Sequence, residues 1–254
     1  MPESGMTRDR LERFGLVIDQ PVDGYRFSLD PILLSAYACR GDERQVVDLG
    51  CGGGILPLIL SKLAPQCQII GLESDADAAG LAVHNVSLNQ LKDQIRIIEG
   101  DVCAVRSLLP GGLADLVVSN PPYRPMGQGR LSPNPARRTA CHESTAGIDA
   151  FCAAAHYLIR PGGRIAMIYS AERLTDLLSA AAGQRLIVRE MRPVYDRSDR
   201  LGKLVMVTLA KGGAARTMTL LPPLLIRDHQ GEYTAEVQQI LYGTPQSLEG
   251  AQDG

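Results

Sequence analysis

The feature that most constrains this chain is Asp48-Leu-Gly-Cys-Gly-Gly-Gly54, which follows the apolar run Val46-Val-Asp-Leu49 and precedes the apolar stretch Ile55 to Leu63. A strand that ends in closely spaced glycines and leads into a helix makes a tight turn, and the missing Cβ atoms let a ligand approach the backbone. The spacing excludes two common uses of such a turn. A nicotinamide or flavin loop reads G-x-G-x-x-G, but the third glycine is replaced by Ile55 when counting from Gly50 and by Pro57 when counting from Gly52. A P-loop ends in Gly-Lys-Ser/Thr, and no such ending follows.

Around this loop, strand-length apolar runs alternate with helix-compatible stretches, the pattern of βαβ units in a largely parallel sheet. The strand candidates are Val46–Leu49, Ile69–Leu72, Ile95–Ile98, Leu113–Ser119 and Arg164–Tyr169. Ile55–Leu63, Asp75–Asn89 and Ala150–Leu158 have apolar residues at helical spacing, the last ending at Pro161-Gly-Gly163. Two further β-like runs, Arg185–Val194 and Leu204–Leu209, flank the polar Tyr195-Asp-Arg-Ser-Asp-Arg200 and are expected to close the sheet as an antiparallel pair, giving seven strands. The fold class is therefore α/β, with a mostly parallel sheet and an antiparallel closing hairpin. The organisation expected is one domain over 1–254: a cap segment (1–45), a cofactor-binding and catalytic core (46–211) and a C-terminal extension (212–254), whose tail from Ser247 lacks apolar content. In the cap, the helix candidate Asp30–Tyr37 could lie across the open end of the sheet.

Charge selects the ligand of the glycine loop. Asp48 is repelled by a pyrophosphate but attracts the amino group and sulfonium of S-adenosylmethionine. The binding set read here is Asp48, Gly50, Gly52 and Gly54 with two further acids. Glu73 ends the second strand, 23 residues after Gly50, where a carboxylate can accept both ribose hydroxyls. Asp101 follows the third strand and can accept from an adenine amino group. Each acid could instead cap the next helix, but three acids at three successive strand ends beside one glycine loop favour a shared ligand.

Asn120-Pro121-Pro122-Tyr123 follows the fourth strand, at the edge where open α/β sheets bind ligands. An amine on an aromatic ring or carbonyl is a poor nucleophile because its lone pair is delocalised. Accepting both N–H bonds from one side turns the lone pair toward an electrophile, and the Asn120 side-chain oxygen and Pro121 backbone oxygen can be those acceptors. The prolines stiffen the loop before substrate arrives, and Tyr123 offers a stacking face. Asn120 also adjoins the cofactor. No general base is needed, since proton loss can follow methyl transfer.

With these motifs, residues 46–210 resemble the class I, Rossmann-like, seven-stranded methyltransferases, and among them the N-P-P-Y amino-methyltransferases. Three more segments are similar to the bacterial valine-tRNA adenine-N6 methyltransferase family: Tyr25-Arg-Phe-Ser-Leu-Asp-Pro-Ile-Leu-Leu34, Arg138-Thr-Ala-Cys-His-Glu143 and the stretch from Leu221 to Glu236. The resemblance implies that Asp30 lies beside the cofactor and that the acceptor is the adenosine following the anticodon. Where many relatives have a compact Ala-Arg-His-Glu, this chain reads Ala136-Arg-Arg-Thr-Ala-Cys-His-Glu143, so no role for His142 carries over.

Other readings remain open on the motifs alone. A glutamine amide in a release factor presents the same planar NH2, although enzymes of that kind usually carry a helical amino-terminal domain, which is not expected here. Guanine-N2 methylation of ribosomal RNA is a third possibility, though those relatives often end the motif in Phe. A cofactor-binding or RNA-binding module without catalysis is a fourth, against which Asn120 and Tyr123 weigh.

The net charge of −2 requires any RNA to be held by a local basic surface. The long polar loop after Tyr123 supplies Arg124, Arg130, Arg137 and Arg138, and the closing hairpin adds Arg189, Arg192, Arg197, Arg200 and Lys203. The six cysteines include no C-x-x-C pair and read as reduced thiols, with no metal expected. No apolar window of about 18 residues and no signal peptide are present, so a cytoplasmic location without a membrane partner is expected.

Overall fold

A computed structural model describes residues 5–22, 28–122, 147–212 and 217–243. The chain opens with an antiparallel hairpin, β1 (Met6–Leu11) and β2 (Leu16–Pro21), which forms a small sheet of its own. Helix α1 (Asp30–Ala38) leads into β3 (Gln45–Leu49), α2 (Ile55–Leu63), β4 (Gln68–Glu73), α3 (Ala76–Leu88) and β5 (Ile95–Glu99). A short α4 (Val105–Leu108) precedes β6 (Ala114–Ser119), and after residue 147 come α5 (Ile148–Leu158), β7 (Ile159–Ser170), α6 (Leu174–Gly183), β8 (Leu186–Tyr195) and β9 (Leu204–Lys211). All seven strand candidates thus form strands.

The main sheet runs β5-β4-β3-β6-β7-β9-β8, parallel from β5 to β7, with β9 antiparallel to both neighbours as expected of the closing pair. Two short strands, β10 (Thr219–Leu220) and β11 (Leu224–Leu225), lie parallel to β8 and bring the sheet to nine among the described residues. The C-terminal extension therefore builds onto the sheet and ends in α7 (Ala235–Tyr242), which packs on α1.

Residues alternate between two apolar cores, one on each face. Val46, Leu116, Val118, Ala166 and Ile168 point into a core built with α1, α2 and β2; Val47, Val117, Ile165 and Met167 point into one built with α5 and α6. Strands buried on both faces read as the continuous apolar runs seen in the sequence. Helix α1 matches its candidate but lies on the first face, against α2, β7 and β9, and not across the open end. Its Ile32, Leu33 and Leu34 are all buried, and a sheet edge could not bury three consecutive residues. Helix α5 ends at Leu158 as expected, yet Pro161-Gly162-Gly163 sits within an irregular β7 and does not form a separate turn.

The hairpin was not expected from the sequence. It is held by Leu16 and Ile18, which are fully buried, and by two asparagines one turn apart, Asn85 within α3 and Asn89 at its C-cap. Asn89 accepts from Val17 N (2.9 Å) and donates to Val17 O (2.6 Å); Asn85 accepts from Asp19 N (2.9 Å) and donates to Asp19 O (3.1 Å). These amides pair the free edge of β2 as a neighbouring strand would.

Asp19 adds an ionic anchor. Its carboxylate, 3% exposed, accepts from Arg8 Nε and Nη2 at 2.7 and 2.8 Å and lies 2.9 Å from His84 Nε2. The hydrogen bonds from Arg8 hold its pKa down at about 2. A lowered folded-state pKa stabilises the fold above the unfolded value of about 3.9, and that stability is lost as pH falls toward 2. With screening at the solvent-facing Arg8, Asp19→Asn is expected to cost roughly 1–2 kcal/mol at pH 7, a deficit that shrinks below about pH 4 and closes only as pH falls toward about 2. Urea unfolding at pH 7, 5 and 3 checks this; a deficit that does not shrink on acidification would show that the ion pair is not its source.

Candidate active site

The sheet order reverses between β3 and β6, so the loops leaving these strands diverge and open a crevice at their carboxyl ends. The glycine loop and Asn120-Pro121-Pro122 fall on its two sides. Leu49 and Ser119 are in register, and the buried Ser119 hydroxyl donates to Leu49 O at 2.7 Å. One hydrogen bond thus ties the residue after Asp48 to the residue before Asn120.

Between them lies a cavity of about 760 Å3, within the usual range for small-ligand pockets of about 300–1,000 Å3. Its lining includes Asp48, Gly50, Gly52, Glu73, Asp101, Asn120, Pro121 and Pro122, so residues scattered over the sequence converge. The loop is shaped by its glycines. Gly50 has φ +76° and Gly54 φ +85°, conformations that favour glycine, and a Cβ on Gly54 would stand 3.2 Å from Ala82 Cβ. Gly54 caps α2 and does not line the cavity. Asp30 opens α1, and its neighbour Pro31 contributes to the cavity wall in its place.

The three acids differ. Asp48 is 1% exposed, and neither carboxylate oxygen has a hydrogen-bond partner. Burial pushes its carboxyl well above the ordinary range, with the nearby Glu73 charge adding to the rise. A buried acceptor pair facing a cavity without a donor is costly, and a cationic ligand satisfies it. Glu73 also braces the loop: Oε2 accepts from Gly52 N (2.8 Å), while Oε1 accepts from Asp75 N (2.9 Å) and, at 3.5 Å, from the Ser74 hydroxyl, a weak bond that a stronger donor can replace. Asp101 caps the short 3-10 turn Val102–Ala104, accepting from Cys103 N at 2.7 Å, so the capping alternative holds for it even as it lines the cavity. The set suits S-adenosylmethionine: an orphaned carboxyl that a cation would ionise, a glycine cradle and two acids at successive strand ends.

Residues that sequence reading missed also face this cavity. Asp19, Gln20 and Pro21 from the hairpin, Asn85 from α3 and Phe151 from α5 join its wall. The short apolar run Leu16-Val17-Ile18 was a weak signal for the strand. The asparagine pair gave no signal, because its partner backbone is distant in sequence.

Tyr123, Arg124, Arg130, Arg137, Arg138 and His142 lie outside the described residues. On the closing hairpin, Leu204 pairs with Ser170 and Val194, which puts Arg197, Arg200 and Lys203 at the same sheet edge as Asn120. Arg192 is instead paired with Glu236 and Arg197 with Asp199. Among the described residues, no cluster of His, Cys, Asp or Glu is arranged to hold a metal ion.

The family described as methyltransferase small domain matches residues 30–190. A protein of Porphyromonas gingivalis named tRNA1(Val) (adenine(37)-N6)-methyltransferase is 33% identical over 183 residues, covering 70% of this chain and 71% of the relative. One of the same name from Tolumonas auensis is 29% identical over 86% of this chain and 89% of its own length. Among solved structures, one described as a predicted O-methyltransferase from Agrobacterium tumefaciens superposes with a TM-score of 0.67, at 21% identity over 84% of this chain and 96% of the other, which is a likeness of fold. The glycine loop and Asn120-Pro121-Pro122 flank one cavity that suits S-adenosylmethionine, the methyltransferase model matches residues 30–190, and the Porphyromonas relative is 33% identical over 71% of its length, so the chain belongs to the bacterial tRNA1(Val) (adenine(37)-N6)-methyltransferase family.

Proposed function

We propose that the protein methylates N6 of the adenosine following the anticodon of a valine tRNA. The observation that carries the reading is the Ser119–Leu49 tie, which sets an amine-accepting loop on the rim of the cavity holding the orphaned Asp48. S-adenosylmethionine, when bound, supplies an electrophilic methyl group.

The chain's residues do the rest. Asp48 meets the positive charge of the cofactor, Glu73 takes ribose hydroxyls with its remaining lone pairs, and Asp101 receives from the adenine amino group. The backbones of Gly50 and Gly52 leave room for close approach, and Asp30 stands at the opening of α1 near the cavity mouth. Asn120 Oδ1 and Pro121 O accept the two N–H bonds of the target base, directing its lone pair into the cavity. Pro122 keeps the loop stiff, and Tyr123 stacks on the extruded base. Arg124, Arg130, Arg137 and Arg138 track the flanking phosphates.

Glutamine and guanine offer the same kind of amine; the relatives' names support adenine. The chain acts as a single methyltransferase domain, a unit supported by the strands β10 and β11 on β8, and works in the cytoplasm, where its tRNA is. No helix among the described residues is long and apolar enough to cross a membrane.

The test is incubation with labelled cofactor and tRNA from a strain lacking the gene, followed by nucleoside mass spectrometry. N6-methyladenosine confined to a valine tRNA is expected. Label in release factor or ribosomal RNA, with none in tRNA, would overturn the assignment.

A further inference from the structure

One buried side chain on α3 bonds to two walls of the cavity at once. Asn85 is fully buried; besides its two bonds to Asp19 of the hairpin, its Nδ2 donates to Gly53 O of the glycine loop at 3.0 Å. Its neighbour one turn on, Asn89, makes the matching pair of bonds to Val17 of the hairpin but none to the loop, its third bond going to Asn85 O within α3. The two asparagines hold the same strand in the same way, and only one of them reaches the loop.

That difference matters because of what it joins. Gly53 follows Gly52, whose N–H is held by Glu73, while Asp19 and Gln20 line the same cavity from the hairpin. The carbonyl of Gly53 would otherwise be free to rotate with a loop rich in glycine, the residue type with the most backbone freedom. We infer that Asn85 is a positioning residue for the cofactor: its single amide fixes the Gly53 carbonyl of the glycine loop to the Asp19 backbone of the N-terminal hairpin, so that floor and wall of the pocket form one rigid body. Two donor bonds and one acceptor bond saturate most of this amide's capacity, so the link cannot loosen at one end without leaving a buried polar group unpaired at the other. The hairpin thereby becomes part of the cofactor site through the backbone that Asn85 holds. The inference rests on the cavity being the cofactor site, and not on which nucleic acid is methylated.

Asn85→Ala and Asn89→Ala separate the tie from plain support of the hairpin. Both remove hydrogen bonds to β2 and should lower the melting temperature by similar amounts. Binding of S-adenosylhomocysteine to the full-length protein, measured by calorimetry below both melting temperatures, should weaken about ten-fold or more in Asn85→Ala and less than about three-fold in Asn89→Ala. In steady state, Asn85→Ala should raise the KM for S-adenosylmethionine while kcat at saturation stays near that of the parent. Equal weakening in the two variants, or unchanged binding in Asn85→Ala, overturns the proposal. Should Asn85→Ala fail to fold, amide exchange in the parent decides: saturating S-adenosylhomocysteine must slow exchange at Val17 and Asp19 as well as in the glycine loop. Slowing confined to the loop refutes the link. If the parent does not bind S-adenosylhomocysteine at all, it is the reading of the cavity that fails.

Discussion

Asn120→Ala is expected to lower the rate of methyl transfer to tRNA by about 10²- to 10³-fold, the usual cost of one preorganised polar contact to a transition state. The adenine amino group conjugates with its ring, and attack requires the lone pair to leave that conjugation while the nitrogen gains positive charge. Both N–H bonds become better donors as this happens, so acceptors at Asn120 Oδ1 and Pro121 O bind the transition state more strongly than the ground state. Alanine removes one of the two and spares the backbone oxygen, which is why a remainder of activity is expected. The loss should fall on kcat, with the KM for tRNA changed by less than about three-fold. Affinity for S-adenosylhomocysteine should fall far less than the rate, because Asp48, Glu73 and the glycine loop remain in the cavity that Asn120 lines with them. Single-turnover assays with labelled cofactor give the chemical step directly. A kcat within a few-fold of the parent would mean that the base is held by other groups.

Legibility in the sequence followed burial. The runs Val46–Leu49 and Leu113–Ser119 could be read because central parallel strands bury both faces and so carry apolar residues at most positions, Asp48, Asp115 and Ser119 being the exceptions. The hairpin escaped because β1 is Met-Thr-Arg-Asp-Arg-Leu, half-exposed and charged, and only the three apolar residues Leu16-Val17-Ile18 in β2 hint at a strand. Strands β10 and β11 are two residues each and flank Pro222-Pro223, a pattern that reads as loop. Helix α6 was passed over although Leu174, Leu177 and Ala181 repeat at helical spacing.

The site was legible where chemistry sits on consecutive residues. Asp48, the glycines and Asn120-Pro121 announce themselves because a turn and a rigid acceptor pair each need several defined residues in a row. Glu73 and Asp101 were found by their places at strand ends, yet their second duties, bracing Gly52 and capping Val102–Ala104, depend on backbone donors that spacing does not reveal. Asp19 and Asn85 were invisible for a stronger reason. Asp19 and Asn85 are bonded to each other across 66 residues, Asp19 meets His84 across 65 and Asn85 meets Gly53 across 32, and nothing about an isolated Asp or Asn marks it as buried.

The second large effect is expected at Asp48. Asp48→Asn keeps shape and volume but removes the charge that an incoming cation would meet, and affinity for S-adenosylmethionine should fall on the order of 10²- to 10³-fold, as when one partner of a buried charged pair is lost. The cofactor-free protein should respond in the opposite sense. The carboxyl is raised well above its ordinary value by burial, so above about pH 4 the folded state binds a proton that the unfolded state has released, and stability falls as pH rises toward the folded-state pKa. Asparagine has no such proton, so the variant should be the more stable in the absence of cofactor, by a margin that widens with pH across that window. Binding of a cation favours the ionised carboxylate and expels the proton, which makes affinity in the parent increase with pH until Asp48 is ionised in the free protein. Calorimetry of S-adenosylmethionine binding in two buffers of different ionisation enthalpy should therefore report release of up to about one proton in the parent and none in Asp48→Asn. Equal proton release in both would place the titrating group elsewhere. An unchanged affinity in the variant would mean that the orphaned oxygens do not face the charge of the cofactor, and the cavity's selectivity would then rest on Glu73 and Asp101 alone.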